Sequence, residues 1–324
     1  MFIKKWYDDF REHNLCGRMN NMSLSKKDFT LLTWLLYHKT EKNTQRSISS
    51  GTDLSLGSVN QLIAKSCDSG WIVLDKENGY RVTDQGMAAL EPYKVRRAVI
   101  MAAGFGSRLM PITLNTPKAL VRVHGKRIIE TMLDAVVAAG IPEIVIVRGY
   151  LGEQFDVLLK KYPMIRFVEN PDYREMNNIS SAMKVKDLFG GAYVLDSDLY
   201  LQNPALIRPY EYSASYVGVH MDTTDDWRLV VTNGRVTGMK VGGRDCYHMY
   251  DITYWTPEDG EKMARLLPAL FETPGGKQCY WDDVPLTYYN DQFEIEPRPC
   301  KEGDIVEIDT LSELMELDPA YRIK

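Results

Sequence analysis

Five cysteines among 324 residues, at Cys16, Cys67, Cys246, Cys279 and Cys300, are odd in number, scattered, and without CxxC spacing. That excludes a disulfide framework or a cysteine zinc site and suits reduced thiols in a cytoplasmic protein. No apolar run reaches the roughly 18 residues of a membrane helix. The start, Met1-Phe2-Ile3-Lys4-Lys5, lacks the apolar stretch and cleavage site of a secretion signal, so no membrane partner is expected. A basic excess is missing too. Asp and Glu number 44 against 39 Lys and Arg, residues 1–93 are near balance, and the acidic surplus falls in the remainder. This weighs against nucleic acid as the main partner. There is no internal repeat or low-complexity segment, and the length suits about two domains.

Two familiar phosphate motifs are also lacking. No Lys follows Gly106 as a P-loop requires, and Leu109 stands where a dinucleotide fingerprint needs its third glycine. What is present is an apolar run, Ala98 to Ala103, breaking into a loop with Gly104, Gly106 and Ser107. Glycines let the backbone approach a ligand, and loop amides can face an anion. Arg108 and Lys118 add two positive charges, so the combination asks for a polyphosphate. A tight strand-to-helix turn would also need glycine.

The longer string is Ala102-Ala-Gly-Phe-Gly-Ser-Arg-Leu-Met-Pro111, followed by Pro117-Lys-Ala-Leu120. It resembles the nucleoside-triphosphate loop of the sugar-phosphate nucleotidyltransferase superfamily. The resemblance implies nucleotide binding by Ala102, Ala103, Gly104, Gly106, Ser107 and Arg108. It gives Arg108 and Lys118 catalytic roles: Arg108 would hold the leaving phosphates, and Lys118 would offset charge on the reacting groups.

Beyond the loop, apolar strands alternate with amphipathic helices. Strands are predicted over 98–103, 143–147, 165–168 and 193–195, and helices over 127–139, 154–161 and 178–188. This pattern gives an α/β fold, a mostly parallel Rossmann-like sheet with helices on both faces. Ligands bind such sheets at the carboxyl ends of the strands, where Gly104–Arg108, Gly149 and Asp196-Ser197-Asp198 fall. An Asp-x-Asp strand end can hold Mg²⁺, which prefers oxygen and shares itself with phosphates, although a surface turn can carry the same residues. Val306-Glu-Ile-Asp309 is a second apolar lead into an acid. In the superfamily two such aspartates hold the metal, and by position Asp198 and Asp309 match them, with Asp196 and Glu307 as helpers.

The last third is dense in aromatics beside acids, notably Asp225-Asp-Trp227 and Tyr280-Trp-Asp-Asp283. Rings with a nearby carboxylate suit a quaternary ammonium, which has no N–H to donate and binds through cation–π attraction. Each ring alone is equally a core residue. From about 96 to 318 the grouping resembles the bacterial phosphocholine cytidylyltransferases of the LicC type. That resemblance rests on Gly149-Tyr150-Leu, Asn177-Asn178, Asp-x-Asp before Tyr200, Asp226-Trp227, Tyr280-Trp-Asp282 and Glu307-Ile-Asp309. It implies CTP and phosphocholine as substrates, with Trp227, Tyr280, Asp282 and Glu307 at the choline group. Asn177, Asn178 and Ser180 are the candidates for reading the base. Leu199 and Arg228 depart from the family pattern, at positions able to retune the acceptor. The implied chemistry is in-line attack of the phosphocholine oxygen on the α-phosphorus of CTP, giving CDP-choline and pyrophosphate. A sugar-1-phosphate nucleotidyltransferase, and a transcription regulator with a nucleotide-sensing domain, are the alternatives.

Residues 1–92 read as a separate domain, with the nucleotidyltransferase domain over 93–324. Helices from Ser25, Thr44 and Ser58 precede two short strands around Glu77-Asn-Gly79 and a helix from Asp84. This layout resembles a MarR-like winged helix-turn-helix. The resemblance implies DNA as a partner, with Ser55, Ser58, Asn60, Gln61 and Lys65 on or near the recognition helix and Arg81 on the wing. Docking or homodimer formation is the other reading.

Overall fold

A computed structural model describes residues 23–322, so Cys16 and the N-terminal stretch lie outside the described residues. Cys67, Cys246, Cys279 and Cys300 are free thiols. No helix among the described residues is long and apolar enough to cross a membrane. The chain divides into two compact units, Met1–Pro92 and Tyr93–Lys324.

In the first unit, α1 (Lys26–Tyr37) is started by Ser25. Its side chain accepts from the Asp28 amide while Asp28 accepts from the Ser25 amide, a reciprocal cap. Next come α2 (Gln45–Gly51) and α3 (Leu56–Asp68), the hairpin β1 (Ile72–Asp75) and β2 (Gly79–Val82), and α4 (Asp84–Leu90). Ser55, not a residue near Ser58, caps α3, so that helix begins earlier than its sequence suggests. Leu31, Leu32, Leu35, Ile48, Val59 and Ile63 form the core. Two cations expected at a DNA surface serve this packing instead. Lys65 Nζ lies 2.6 Å from the buried Asp28 carboxylate, and Arg81 donates to the carbonyls of Lys39 and Glu41.

The second unit begins with β3 (Arg97–Ala102), then α5 (Ile128–Ala138), β4 (Glu143–Arg148), β5 (Ile165–Glu169), α6 (Ile179–Lys184), β6 (Ala192–Asp196) and β7 (Leu199–Leu201). It continues through β8 (Ser215–Thr232), β9 (Arg235–Trp255), α7 (Pro257–Phe271), β10 (Glu296–Cys300), β11 (Ile305–Glu307) and α8 (Leu311–Leu317). A seven-stranded sheet has the order β10-β8-β9-β6-β3-β4-β5. All its pairings are parallel except β8–β9 and β9–β6.

Alternate residues of β3 serve opposite faces. Ala98 and Ile100 pack with Ile129, Met132 and Val136 of α5. Val99 and Met101 pack with Ile179 of α6 and Met263, Leu267 and Leu270 of α7. The mostly parallel α/β sheet with helices on both faces is therefore present. Near its β10 edge, buried Arg298 pairs with buried Glu211 and donates to the Tyr193 hydroxyl.

Three local expectations change. Residues expected as a helix over 154–161 form 3₁₀ turns, Gly152–Lys160; buried Phe155 and Leu158, three apart, follow the three-residue repeat of that geometry. The helix expected over 178–188 stops at Lys184, because Val185 leaves helical backbone at φ −130° and buries its side chain. The long β8–β9 hairpin was not anticipated at all. It turns at Asn233-Gly234, with φ of 52° and 76°, the left-handed pair that a two-residue hairpin turn requires.

Candidate active site

The loop after β3 closes around Lys118. Gly106 has φ +66°, and a Cβ added there would lie 2.9 Å from Lys118 Cβ, so a side chain would displace the lysine. At Gly104 an added Cβ meets no protein atom within 4 Å; the glycine leaves that volume to the cavity. Thr113 Oγ1 donates to the Gly106 carbonyl at 2.8 Å. Tyr150 clamps the same segment: its amide donates to the Ala103 carbonyl, its hydroxyl to the carbonyls of Thr113 and Leu114, and its ring meets Phe105 edge-on.

A cavity of about 280 Å³ is walled by Ala102, Gly104, Gly106, Ser107, Arg108, Lys118, Asp198 and Asp309. Short pairing of β7 with β11 brings the two aspartates together. Leu199 stands opposite Glu307, and the Ile308 amide donates to the Asp198 carbonyl. Carboxylate oxygens of Asp198, Glu307 and Asp309 lie within 4.8 Å of one another, a set able to hold a metal ion. Such hard oxygen donors suit Mg²⁺.

In this structure the Lys118 ammonium lies 2.9 Å from Asp198 and 2.7 Å from Asp309, and Arg108 Nη2 lies 2.8 Å from Asp309. Burial opposes charge on Lys118, but the two carboxylates outweigh it and hold its pKa above that of an ordinary lysine.

A second cavity, about 410 Å³, shares Arg108, Asp198 and Asp309 with the first. Asn178, Asp196, Asp226, Trp227, Met239, Met249, Asp251, Tyr280, Asp282 and Glu307 complete its wall. The Trp227 and Tyr280 rings meet at 69° with centroids 5.9 Å apart. Burial raises Asp282 to about 7 even though the Tyr216 hydroxyl donates to it at 2.7 Å. Burial likewise raises Glu307 to about 7, against the opposing contact from His248. His248 itself lies within 3.0 Å of Thr224 and 3.6 Å of Glu307.

A third space, near 190 Å³, is walled by Ala103, Gly104, Asn170, Tyr173, Asn177, Asn178, Ser180 and Ser181. Buried Asn170 donates to the hydroxyls of Ser180 and Ser181. The Asn178 side chain accepts from the Trp281 amide, linking this wall to the aromatic one.

Every residue that the sequence offers for nucleotide, metal or choline binding lines one of these three joined spaces. Asp251, Met239, Met249, Asn170 and Tyr173 were missed. Asp251, in Met249-Tyr-Asp-Ile252, interrupts an apolar run and has no motif to mark it. Arg228 is absent from the cavity wall; its Nε donates to the Gly242 carbonyl at 2.6 Å.

Residues 97–204 match the nucleotidyl transferase family. A 2-aminoethylphosphonate cytidylyltransferase of Lancefieldella rimae is 34% identical over 228 residues, which is 69% of this chain and 92% of that protein. A choline-phosphate cytidylyltransferase of Haemophilus influenzae is 33% identical over 219 residues, 67% of this chain and 93% of that one. The solved CTP:phosphocholine cytidylyltransferase LicC of Streptococcus pneumoniae superposes with a TM-score of 0.65 at 31% identity, covering 70% of this chain and 100% of that chain. The chain belongs to the nucleotidyl transferase family, and these three relatives are cytidylyltransferases.

Proposed function

We propose that residues 93–324 transfer CMP from CTP to a small acceptor joining an anionic phosphorus group to a cationic nitrogen. Phosphocholine and the aminoethyl phosphates or phosphonates are of this kind. One observation carries the reading: the phosphate-loop cavity and the carboxylate-rich, aromatic cavity meet at Arg108, Asp198 and Asp309. A nucleotide in the first and a cationic acceptor in the second would bring their phosphorus groups together at that junction. The acidic wall supports a cation over a neutral hexose, which makes the sugar-1-phosphate reading secondary. The regulator reading gains nothing from a cavity built this way.

In the proposed reaction an acceptor oxygen forms a bond to the α-phosphorus of CTP, and the bond from that phosphorus to the β-phosphate bridging oxygen breaks. Pyrophosphate departs with the electron pair. The attacking oxygen is already anionic, so no general base is needed; placement and charge neutralisation carry the rate. Loop backbone from Ala102 to Ser107 holds the phosphates, Arg108 faces the leaving pair, and Lys118 offsets charge at the junction. Asn177, Asn178 and Ser180 line the space left for the base. Asp198 and Asp309, with Glu307 beside them, would hold Mg²⁺, which when bound would neutralise charge on the reacting phosphates. Trp227, Tyr280 and Asp282 would face the acceptor's nitrogen.

The test is pyrophosphate release with Mg²⁺, each nucleoside triphosphate in turn, and a panel of phosphorylated acceptors. CTP-dependent release with phosphocholine or an aminoethyl acceptor is expected. Release only with a hexose 1-phosphate would overturn the acceptor class.

For the first unit we propose a winged helix that meets DNA through the start of α3, at Ser55, Ser58, Asn60 and Gln61, helped by Lys42, Arg46 and Lys76 of a groove that Asp75, Leu74 and Tyr80 also line. Lys65 and Arg81 are committed to internal contacts. Salt-sensitive retardation of promoter fragments, weakened by Lys42→Ala or Arg46→Ala, is the expected result. No retardation at low salt, together with loss of a dimer on removing 1–92, would favour the docking reading.

A further inference from the structure

The antiparallel ladder between β9 and β6 sets Ile252 opposite Leu195. The next position along each strand is Asp251 on β9 and Asp196 on β6. Continuing that register places both side chains on one face of the sheet. Both aspartates line the aromatic cavity. In each, Oδ1 is buried and has no hydrogen-bond partner. Lys118, on the adjoining cavity, is engaged by Asp198 and Asp309. Asp282 stands on the same wall, but its Oδ1 already accepts from Tyr216. Two carboxyls on a cavity wall, each with one buried oxygen unpartnered, carry a standing cost, which a group bound against their cavity side can lower by supplying positive charge and N–H donors together.

We propose that Asp251, with Asp196, reads the acceptor's nitrogen and selects an N–H-bearing ammonium over a trimethylammonium. This rests on the cytidylyl-transfer reading. A trimethylammonium supplies charge but no donor, so it sets methyl groups against the two carboxyls and gives neither a hydrogen bond. A primary ammonium brings three donors. Trp227 and Tyr280 serve either cation equally, since ring faces attract charge without needing N–H. The selection therefore falls to the aspartates.

The experiment is steady-state turnover with CTP and a methylation series: ethanolamine phosphate, its N-methyl and N,N-dimethyl forms, and choline phosphate, for the full-length chain and Asp251→Asn. The wild-type kcat/KM is expected to fall with each methyl. Asp251→Asn should lose roughly 10- to 100-fold on ethanolamine phosphate, the range for a hydrogen bond to a charged group. It should lose less on choline phosphate, flattening the series while the KM for CTP is unchanged. 2-Aminoethylphosphonate, with the same ammonium on a carbon–phosphorus bond, should rank with ethanolamine phosphate.

Without acceptor, Asp251→Asn should melt at or above the wild-type temperature, because a buried carboxyl with an unpartnered oxygen is removed. A lower melting temperature with equal loss on all four acceptors would show a structural role and overturn the proposal. A flat series, or one rising toward choline phosphate, would overturn it while leaving cytidylyl transfer intact. No turnover of any acceptor would overturn the transfer reading and this inference with it.

Discussion

Lys118 Nζ donates to Asp309 Oδ1 at 2.7 Å, joining residues 191 positions apart. The same ammonium reaches Asp198, so one cation holds two acids that would otherwise repel in a partly buried site. Lys118→Met should therefore lower Tm in EDTA, and added Mg²⁺ should restore part of the loss by binding the folded state. Equal melting of variant and wild type in EDTA would remove this clamp.

Asp198 and Asp309 are proposed to act on one ion. Asp198→Asn and Asp309→Asn should each cut kcat by several powers of ten, with the double variant little worse than either. Pyrophosphate release across a Mg²⁺ titration measures this. A near wild-type rate at saturating Mg²⁺ would take that residue out of the metal set.

If Trp227 faces the acceptor's cation, Trp227→Ala should raise the KM for the acceptor by roughly 2- to 30-fold, given about 0.5–2 kcal/mol for a cation–π contact. The KM for CTP should hold. Parallel rises in both would mean that the ring supports the whole site.

Burial pushes Asp282 up to about 7, from 3.8 for an ordinary aspartate. The folded state thus binds a proton that the unfolded state has lost, and stability falls as pH rises between those values. Tm of the ligand-free protein should drop from pH near 5 to near 8, and the drop should shrink in Asp282→Asn. Thermal melts across that range decide it; an unchanged slope in the variant would assign the effect elsewhere.

Arg298 and Glu211 are both buried and paired beside Tyr193. Glu211→Gln leaves the guanidinium without its counter-charge, and a broken buried pair costs about 3–5 kcal/mol. Chemical denaturation should show the loss. A cost below about 1 kcal/mol would fit an exposed pair instead.

Much of the molecule was legible in its local pattern. Apolar runs marked β3, β4 and β6, since strands buried on both faces need continuous apolar sequence, while the edge strand β5 carries exposed Arg166 within its run. Ser25 and Thr44 announced their helices through side chains that cap the following amides. The glycines and cations of the phosphate loop were readable as a string because they act within one turn of chain. Asp198 and Asp309 each end an apolar run, but their pairing could be named only by resemblance, for nothing near either residue specifies the other.

Tertiary structure decided the rest. The Leu199–Glu307 pairing sets the two acids side by side, a long-range contact with no local signature. The β8–β9 hairpin carries Trp227, Met239, Met249 and Asp251 to one wall. Its register shifts repeatedly between Tyr216 and Val231, and each bulge reverses which side chains face inward. The period-two alternation that would betray a strand is erased there. Asp251 and Asp196 share one cavity wall because β9 runs back antiparallel to β6.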